Sequence, residues 1–215
     1  MIFSDAVARV LEDLGNKGGT VIPARVKQRF QVAQRDLESG KSLPRFLIVE
    51  DAPLVLTVGT SSVALPTGFI RWETKPHFTP TNSDEPFFVE PKNDYQSAVE
   101  ANASIESGGP SIFLIRQSTI EFIKTADRTY NLVWSYYKHA DLLSSDGGTN
   151  AWLSDEGAGA DWLIGETGWR MALSLRDPDG EKIFAQLRQS GRAATFGELI
   201  AQEESMGPLI MGANL

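Results

Sequence analysis

The chain has 215 residues, 41% hydrophobic and 22% charged, the balance of a folded globular protein rather than a disordered one. With 20 basic against 28 acidic side chains its net charge is −8, which argues against the chain as a whole gripping a nucleic-acid backbone. It has no cysteine, so disulfide scaffolds, cysteine nucleophiles and thiolate metal sites are excluded.

The first segment reads as helix. Phe3, Val7, Val10, Leu11 and Leu14 recur at helical spacing, and Gly15 offers a stop. Asp5, Arg9, Glu12 and Asp13 stand where a secretion signal would place its apolar run, so folding in a cytoplasm is expected. A Gly-rich loop comes next. A second helix opens around Pro23, with Val26, Phe30, Ala33 and Leu37 on one face, and Gly40 ends it. Arg25, Lys27, Arg29 and Arg35 on that helix could meet phosphates. A solvated face, or an acidic neighbour, accounts for them as well.

Residues 46–148 change period. Short runs rich in β-branched and aromatic residues fall at Phe46–Val49, Leu54–Val58, Ser62–Leu65, Ile70–Thr74, Phe87–Glu90, Ile112–Arg116, Ile120–Ile123 and Tyr130–Lys138. Glycines and prolines separate most of them, the punctuation of an antiparallel sandwich or barrel. Gln117-Ser118-Thr119 is a hairpin-length connection, and residues 95–103 read as one short helix. The longest apolar runs, such as Ile112–Ile115, are far short of the roughly 18 residues a membrane span needs.

The last segment returns to helix. Ser144 to Gly148 reads as a hinge, and Asn150 is placed to cap the helix after it. Trp162, Trp169 and Leu173 fall on one helical face. Asp177-Pro178 is a start signal for the next helix, whose apolar stripe is Ile183, Phe184, Leu187, Leu199 and Ile200. Ile183, Leu187, Leu199 and Ile200 are candidate subunit-packing residues. Residues 207–215 carry no charged side chain. Pro208, Leu209, Ile210, Met211 and Leu215 make that tail a candidate docking arm.

Charge divides along the same lines. Residues 1–45 hold 8 basic and 5 acidic side chains (+3), residues 46–148 hold 7 and 13 (−6), and residues 149–215 hold 5 and 10 (−5). A basic first part and an acidic last part can lie against each other. The expected fold is therefore α+β: a helical bundle of 1–45 and 149–206, an inserted antiparallel β-sandwich or barrel domain of 46–148, and an extended tail of 207–215.

No set of residues points firmly to catalysis, and no cofactor or metal is expected. His77 and His139 are the only histidines, too few for a histidine zinc site. His139, Asp141 and Ser144 lie close in sequence, which does not make a triad. Asp177-Pro178-Asp179-Gly180-Glu181 lacks calcium-loop spacing, and helix capping explains it better. Asp155, Glu156, Asp161 and Glu166 could supply a carboxylate pair for sugar hydrolysis, against a solvated helix face. The five tryptophans are core residues first and a sugar platform second.

Several short patterns taken together resemble the head-to-tail adaptor proteins of tailed bacteriophages of the podovirus type. A helix ending A-x-x-x-L-E (Ala33 to Glu38) runs into Leu43-Pro44-Arg45-Phe46-Leu47, where the family often has an aromatic in place of Arg45. A Leu-Pro-x-x-Phe step comes at Leu65–Phe69, with Gly68 where an acidic residue is typical. An aromatic strand then ends in Tyr136-Tyr137, with Leu143-Ser144 beyond it, before closing helices at Trp162–Arg176 and after. The resemblance implies a non-enzymatic virion protein at the head–tail junction, assembled in the host bacterial cytoplasm. It implies a homo-oligomeric ring, a dodecamer, below the portal protein. The ring would extend the channel for double-stranded DNA without binding it specifically, touch capsid protein, and dock tail or nozzle proteins. A stopper or tail-completion protein is the alternative within that class. A cell-wall hydrolase and a carbohydrate-binding module are the alternatives outside it.

Overall fold

The computed structural model describes residues 1–15, 21–78, 88–94, 96, 100, 107–154 and 158–205. The fold is α+β. The helices are α1 (Phe3–Asp13), α2 (Val21–Glu38), α3 (Ala151–Ser154), α4 (Ala158–Leu175) and α5 (Pro178–Ser205). The strands are β1 (Ile48–Leu56), β2 (Ser62–Ala64), β3 (Phe69–Phe78), β4 (Glu90–Pro91), β5 (Ile112–Arg116), β6 (Thr119–Phe122) and β7 (Tyr130–Lys138). The chain divides into two compact units, one of Met1–Phe46 with Ala140–Leu215, the other of Leu47–His139.

The second seam falls at His139/Ala140, earlier than the expected 148. Residues after it are tied to the first two helices. Phe3 and Ser4 donate backbone N–H bonds to the carbonyls of Gly148 and Asp146, and Gln31 reaches the carbonyl of Leu143.

The described residues of the β unit form two sheets. One is antiparallel, in the order β1-β7-β3; the other is ordered β2-β6-β5-β4. Neither closes into a barrel, and the second is mixed, because β4 runs parallel to β5. The stretch between Pro91 and Ile112 is long enough for the crossover a parallel pair requires. Both sheets feed one core, with Leu54, Leu56, Phe113, Ile120, Phe122, Leu132 and Trp134 all buried. Phe69 stacks on Trp134 at 5.4 Å between centroids.

Two breaks expected in this region are absent. Phe46–Val49 and Leu54–Val58 belong largely to one strand, β1, because a bulge absorbs the irregular residues between them. Asp51 takes φ +48°, the register slips between Val49 and Ala52, and Ser135 Oγ accepts the Asp51 N–H at 3.2 Å. Likewise β3 continues through Pro76. A proline is tolerated there because the register slips between Thr74 and His77, a bulge that requires no N–H from Pro76, while its carbonyl accepts the Val89 N–H at 2.8 Å. The β5–β6 hairpin turns on two residues rather than three: Arg116 pairs with Thr119, and Gln117 takes φ +51°. The helix expected at 95–103 lies mostly outside the described residues.

In the helical unit α4 is the central element. Ala160, Trp162, Leu163, Ile164, Thr167, Met171 and Ala172 are all buried, more than one stripe can account for. The expected face of Trp162, Trp169 and Leu173 is therefore only in part the buried one. Trp162 is buried, but Leu173 is 44% exposed. Asn150 caps α3 as expected, its Oδ1 accepting the N–H groups of Trp152 and Leu153 at 3.1 and 3.3 Å. Asp177 caps α5, accepting the Gly180 N–H at 3.2 Å.

The α4–α5 hairpin packs backbone on backbone at glycines. A Cβ on Gly165 would lie 2.4 Å from the Arg188 nitrogen, and one on Gly191 the same distance from that of Trp162. Neither neighbour is a flexible side chain that could swing away. Gly165→Ala is expected to cost about 1–3 kcal/mol by forcing the helices apart. Gly197→Ala, with nothing within 4 Å of the added carbon, is expected to stabilise α5 by about 0.5–1 kcal/mol. Thermal unfolding followed by circular dichroism checks both, and midpoints moving in the same direction would contradict this packing.

Candidate functional site

Two polar clusters in the helical unit stand out, because both place charged groups where burial is expensive. The first is built on the C-terminal turns of α2. Val26, Phe30 and Ala33 bury one face of that helix, and Gln34 and Glu38 continue it, both fully buried. Glu38 Oε1 accepts from Trp152 Nε1 at 2.9 Å, Gln34 Nε2 at 3.0 Å and the Ala140 N–H at 3.2 Å. Arg35 donates to Oε2 at 2.8 Å. Gln34 also donates to the carbonyls of Ala140 and Asp141, and its own carbonyl oxygen accepts from Asn150 Nδ2 at 3.2 Å. Trp152 meets Phe46 and Trp162 edge to face, at 5.1 and 5.6 Å.

The second cluster joins α2, α4 and α5. Glu166 is buried, receiving Arg170 Nε at 2.7 Å and Arg188 Nη1 at 3.3 Å. Arg170 also reaches Asp36 at 2.5 Å. Burial opposes the charge of Arg170, but the hydrogen bonds to Asp36 and Glu166 outweigh it and hold its pKa above the ordinary value. Arg188 stacks over Trp169, 4.3 Å from the ring centroid. Beside this chain of charges opens a cavity of about 530 Å³, with Leu37, Trp162 and Ala185 as its apolar lining and Glu166, Arg188 and Arg192 among its polar lining.

Asp161 and Glu166, the candidate carboxylates, are not brought together as a pair. Five residues apart on α4, they point about 140° from each other, and Asp161 is engaged by Arg9 at 2.7 Å. Asp155 and Glu156 lie outside the described residues. His139 donates its backbone N–H to the Gly68 carbonyl, whereas Asp141 and Ser144 belong to the other unit. His77 packs on Phe88 at 5.1 Å and bonds the Lys75 carbonyl through Nδ1. Trp134, Trp152 and Trp162 are core residues.

Lys27 pairs with Asp146 at 2.5 Å, and Arg25 and Arg29 are exposed. Of the expected stripe on α5, Phe184 is buried, Leu187 half-buried and Ile183 48% exposed. Leu199 and Ile200 belong to α5, but their side chains lie outside the described residues, as does the tail with Pro208, Leu209, Ile210, Met211 and Leu215. Among the described residues there is no cluster of three metal-ligating side chains, and no helix is long and apolar enough to cross a membrane.

Sequence reasoning missed both clusters. The signal for the first is the i, i+4 series Phe30, Gln34, Glu38, which puts two polar side chains in line with an apolar one. No protein-family model and no curated protein matches the chain.

Glu38→Ala would strand the Trp152 and Ala140 N–H donors, each at a cost of roughly 1–3 kcal/mol. The expected total loss is about 3–5 kcal/mol, and Glu38→Gln, which keeps an acceptor, should lose about 1–3 kcal/mol. Urea unfolding measures both, and unchanged midpoints would show that the joint contributes nothing.

Proposed function

We propose that this chain is a head-to-tail connector adaptor of a tailed bacteriophage: a structural virion protein, not an enzyme. In this reading copies form a ring below the portal protein, prolong the DNA channel and present a platform to tail proteins. The two units then serve as a helical bundle for ring and portal contacts and an inserted β-sandwich for contacts elsewhere in the particle.

One observation carries the reading. The short patterns that resemble the adaptor family are far apart in sequence, yet residues of two of them meet at Trp152 and a third is tied to the same helix, α2. Glu38 closes the A-x-x-x-L-E pattern and accepts from Trp152. Phe46, from the Leu-Pro-x-Phe-Leu pattern, packs on that same tryptophan. Leu143, from the Leu-Ser pattern, is buried and has its carbonyl held by Gln31 of α2. A shared framework of this kind accounts for the patterns without any catalytic role.

The shape of α5 is compatible with assembly. Gly191 faces Trp162, so α5 passes the level of Ala158, the first residue of α4, near position 195 and continues to Ser205. A helix of that length extends past the start of α4, as a contact with a neighbouring copy would use.

The test is electron microscopy and mass photometry of the purified chain mixed with its portal ring. Rings of many copies seated on the portal are expected, and no association at micromolar concentration would sink the proposal. Removing residues 207–215 is expected to lower portal affinity while leaving the unfolding midpoint of the rest unchanged. Unaltered affinity would remove the tail from the docking role.

A further inference from the structure

We infer that the cavity between α2, α4 and α5 receives a carboxylate side chain from an acidic peptide segment of a partner protein.

The first argument is charge. Two carboxylates, Asp36 and Glu166, stand against three guanidiniums, Arg170, Arg188 and Arg192. Arg170 takes the two shortest bonds, at 2.5 Å to Asp36 and 2.7 Å to Glu166. Arg188 is left with the 3.3 Å bond to Glu166 and a place over the Trp169 ring. Arg192 has no ion-pair partner among the described residues and lines the same cavity. Arg188 and Arg192 are four residues apart on α5, and like charges at that spacing repel across one helical turn. An anion seated between them would convert the repulsion into two charge-assisted hydrogen bonds.

The second argument is shape. A volume of about 530 Å³ falls within the range of side-chain and small-ligand sites. Its lining is not that of a simple anion pocket, because Leu37, Trp162 and Ala185 give it an apolar part suited to the methylenes and neighbours of a peptide side chain. The net charge of −8 counts against a polyanion such as a nucleic acid, whose many charges would all be repelled. One carboxylate entering a screened pocket meets little of that repulsion, since the Debye length is about 8 Å at physiological salt. This inference does not depend on the adaptor reading.

The probe is a capped peptide, acetyl-Gly-Leu-Glu-Leu-Gly-amide, titrated into the full chain. The readout is the two-dimensional NMR signals of the Trp162 indole and the Arg188 and Arg192 side chains. The glutamine version of the peptide and inorganic phosphate serve as comparison ligands. The glutamate peptide is expected to shift these signals and to bind at least about tenfold more tightly than its glutamine version. Arg192→Gln, a change at an exposed position, is expected to weaken it by a similar factor. The inference is overturned by equal binding of the two peptides, by binding insensitive to Arg192→Gln, or by phosphate binding as tightly as the peptide.

Discussion

The helical unit depends on one buried carboxylate. Glu38 is fully removed from solvent and accepts hydrogen bonds from a tryptophan, a glutamine, an arginine and a backbone amide. Burying an ion costs several kcal/mol after relaxation, and such a group contributes to stability only when its acceptor sites are filled. Here they are filled from three places in the sequence: α2 itself, Ala140 and Trp152. The gain is therefore less in raw stability than in position. Ala140 is the first residue to return from the β unit, and its amide is fixed at the moment of return. The same carboxylate orients Trp152, and Trp152 in turn sets the packing of Phe46, the last residue before the chain leaves. Both passages between the units are thus anchored at one point within the helical unit.

The other half of that unit is held by close approach rather than by polar bonds. Gly165 and Gly191 let α4 and α5 touch along their backbones, and Trp162 and Phe184 are buried in the same hairpin. At the two points of backbone contact, Gly165 and Gly191, no side chain fits between the helices. Arg188 and Arg192 are accordingly displaced to the margin of the contact, where they crowd with Glu166 and Arg170 around the cavity. The polar cluster is in this sense a consequence of the small residues: one creates the contact, and the other collects what the contact cannot hold.

Much of the fold was legible in the sequence where local chemistry decides it. Tyr130–Lys138 and Ile112–Arg116 are strands with the bounds their composition implies, because β-branched and aromatic content needs no distant partner to be read. The caps at Asn150 and Asp177 were legible for the same reason. What escaped was set by neighbours. Residues 50–53 separate two short apolar runs in the sequence, and the bond from the Asp51 N–H to the Ser135 hydroxyl across the sheet marks them as a bulge within one strand. Pro76 looks like a terminator until the register slip against β7 between Thr74 and His77 is known. The joint was the least legible element. Gln34 and Glu38 resemble an imperfect apolar face, and the groups that explain them lie more than a hundred residues further along the chain.

Charge connects these levels. The excess of basic groups in residues 1–45 suggested that the first helices meet the acidic last ones, and the ion pairs of Arg9 with Asp161 and of Asp36 with Arg170 do link them. The second pair runs opposite to that expectation, however: the acid is on α2 and the base on α4. Regional net charge describes the long-range field of a segment, whereas a short-range contact is decided by which side chain the packing brings near. Once Gly165 draws α5 onto α4, Glu166 lies between two guanidiniums, and the local balance near the cavity turns positive inside a segment whose total is negative. An extended polyanion brought to such a pocket would feel the whole negative segment, whereas a single carboxylate would meet Arg188 and Arg192 with only Glu166 opposed to it.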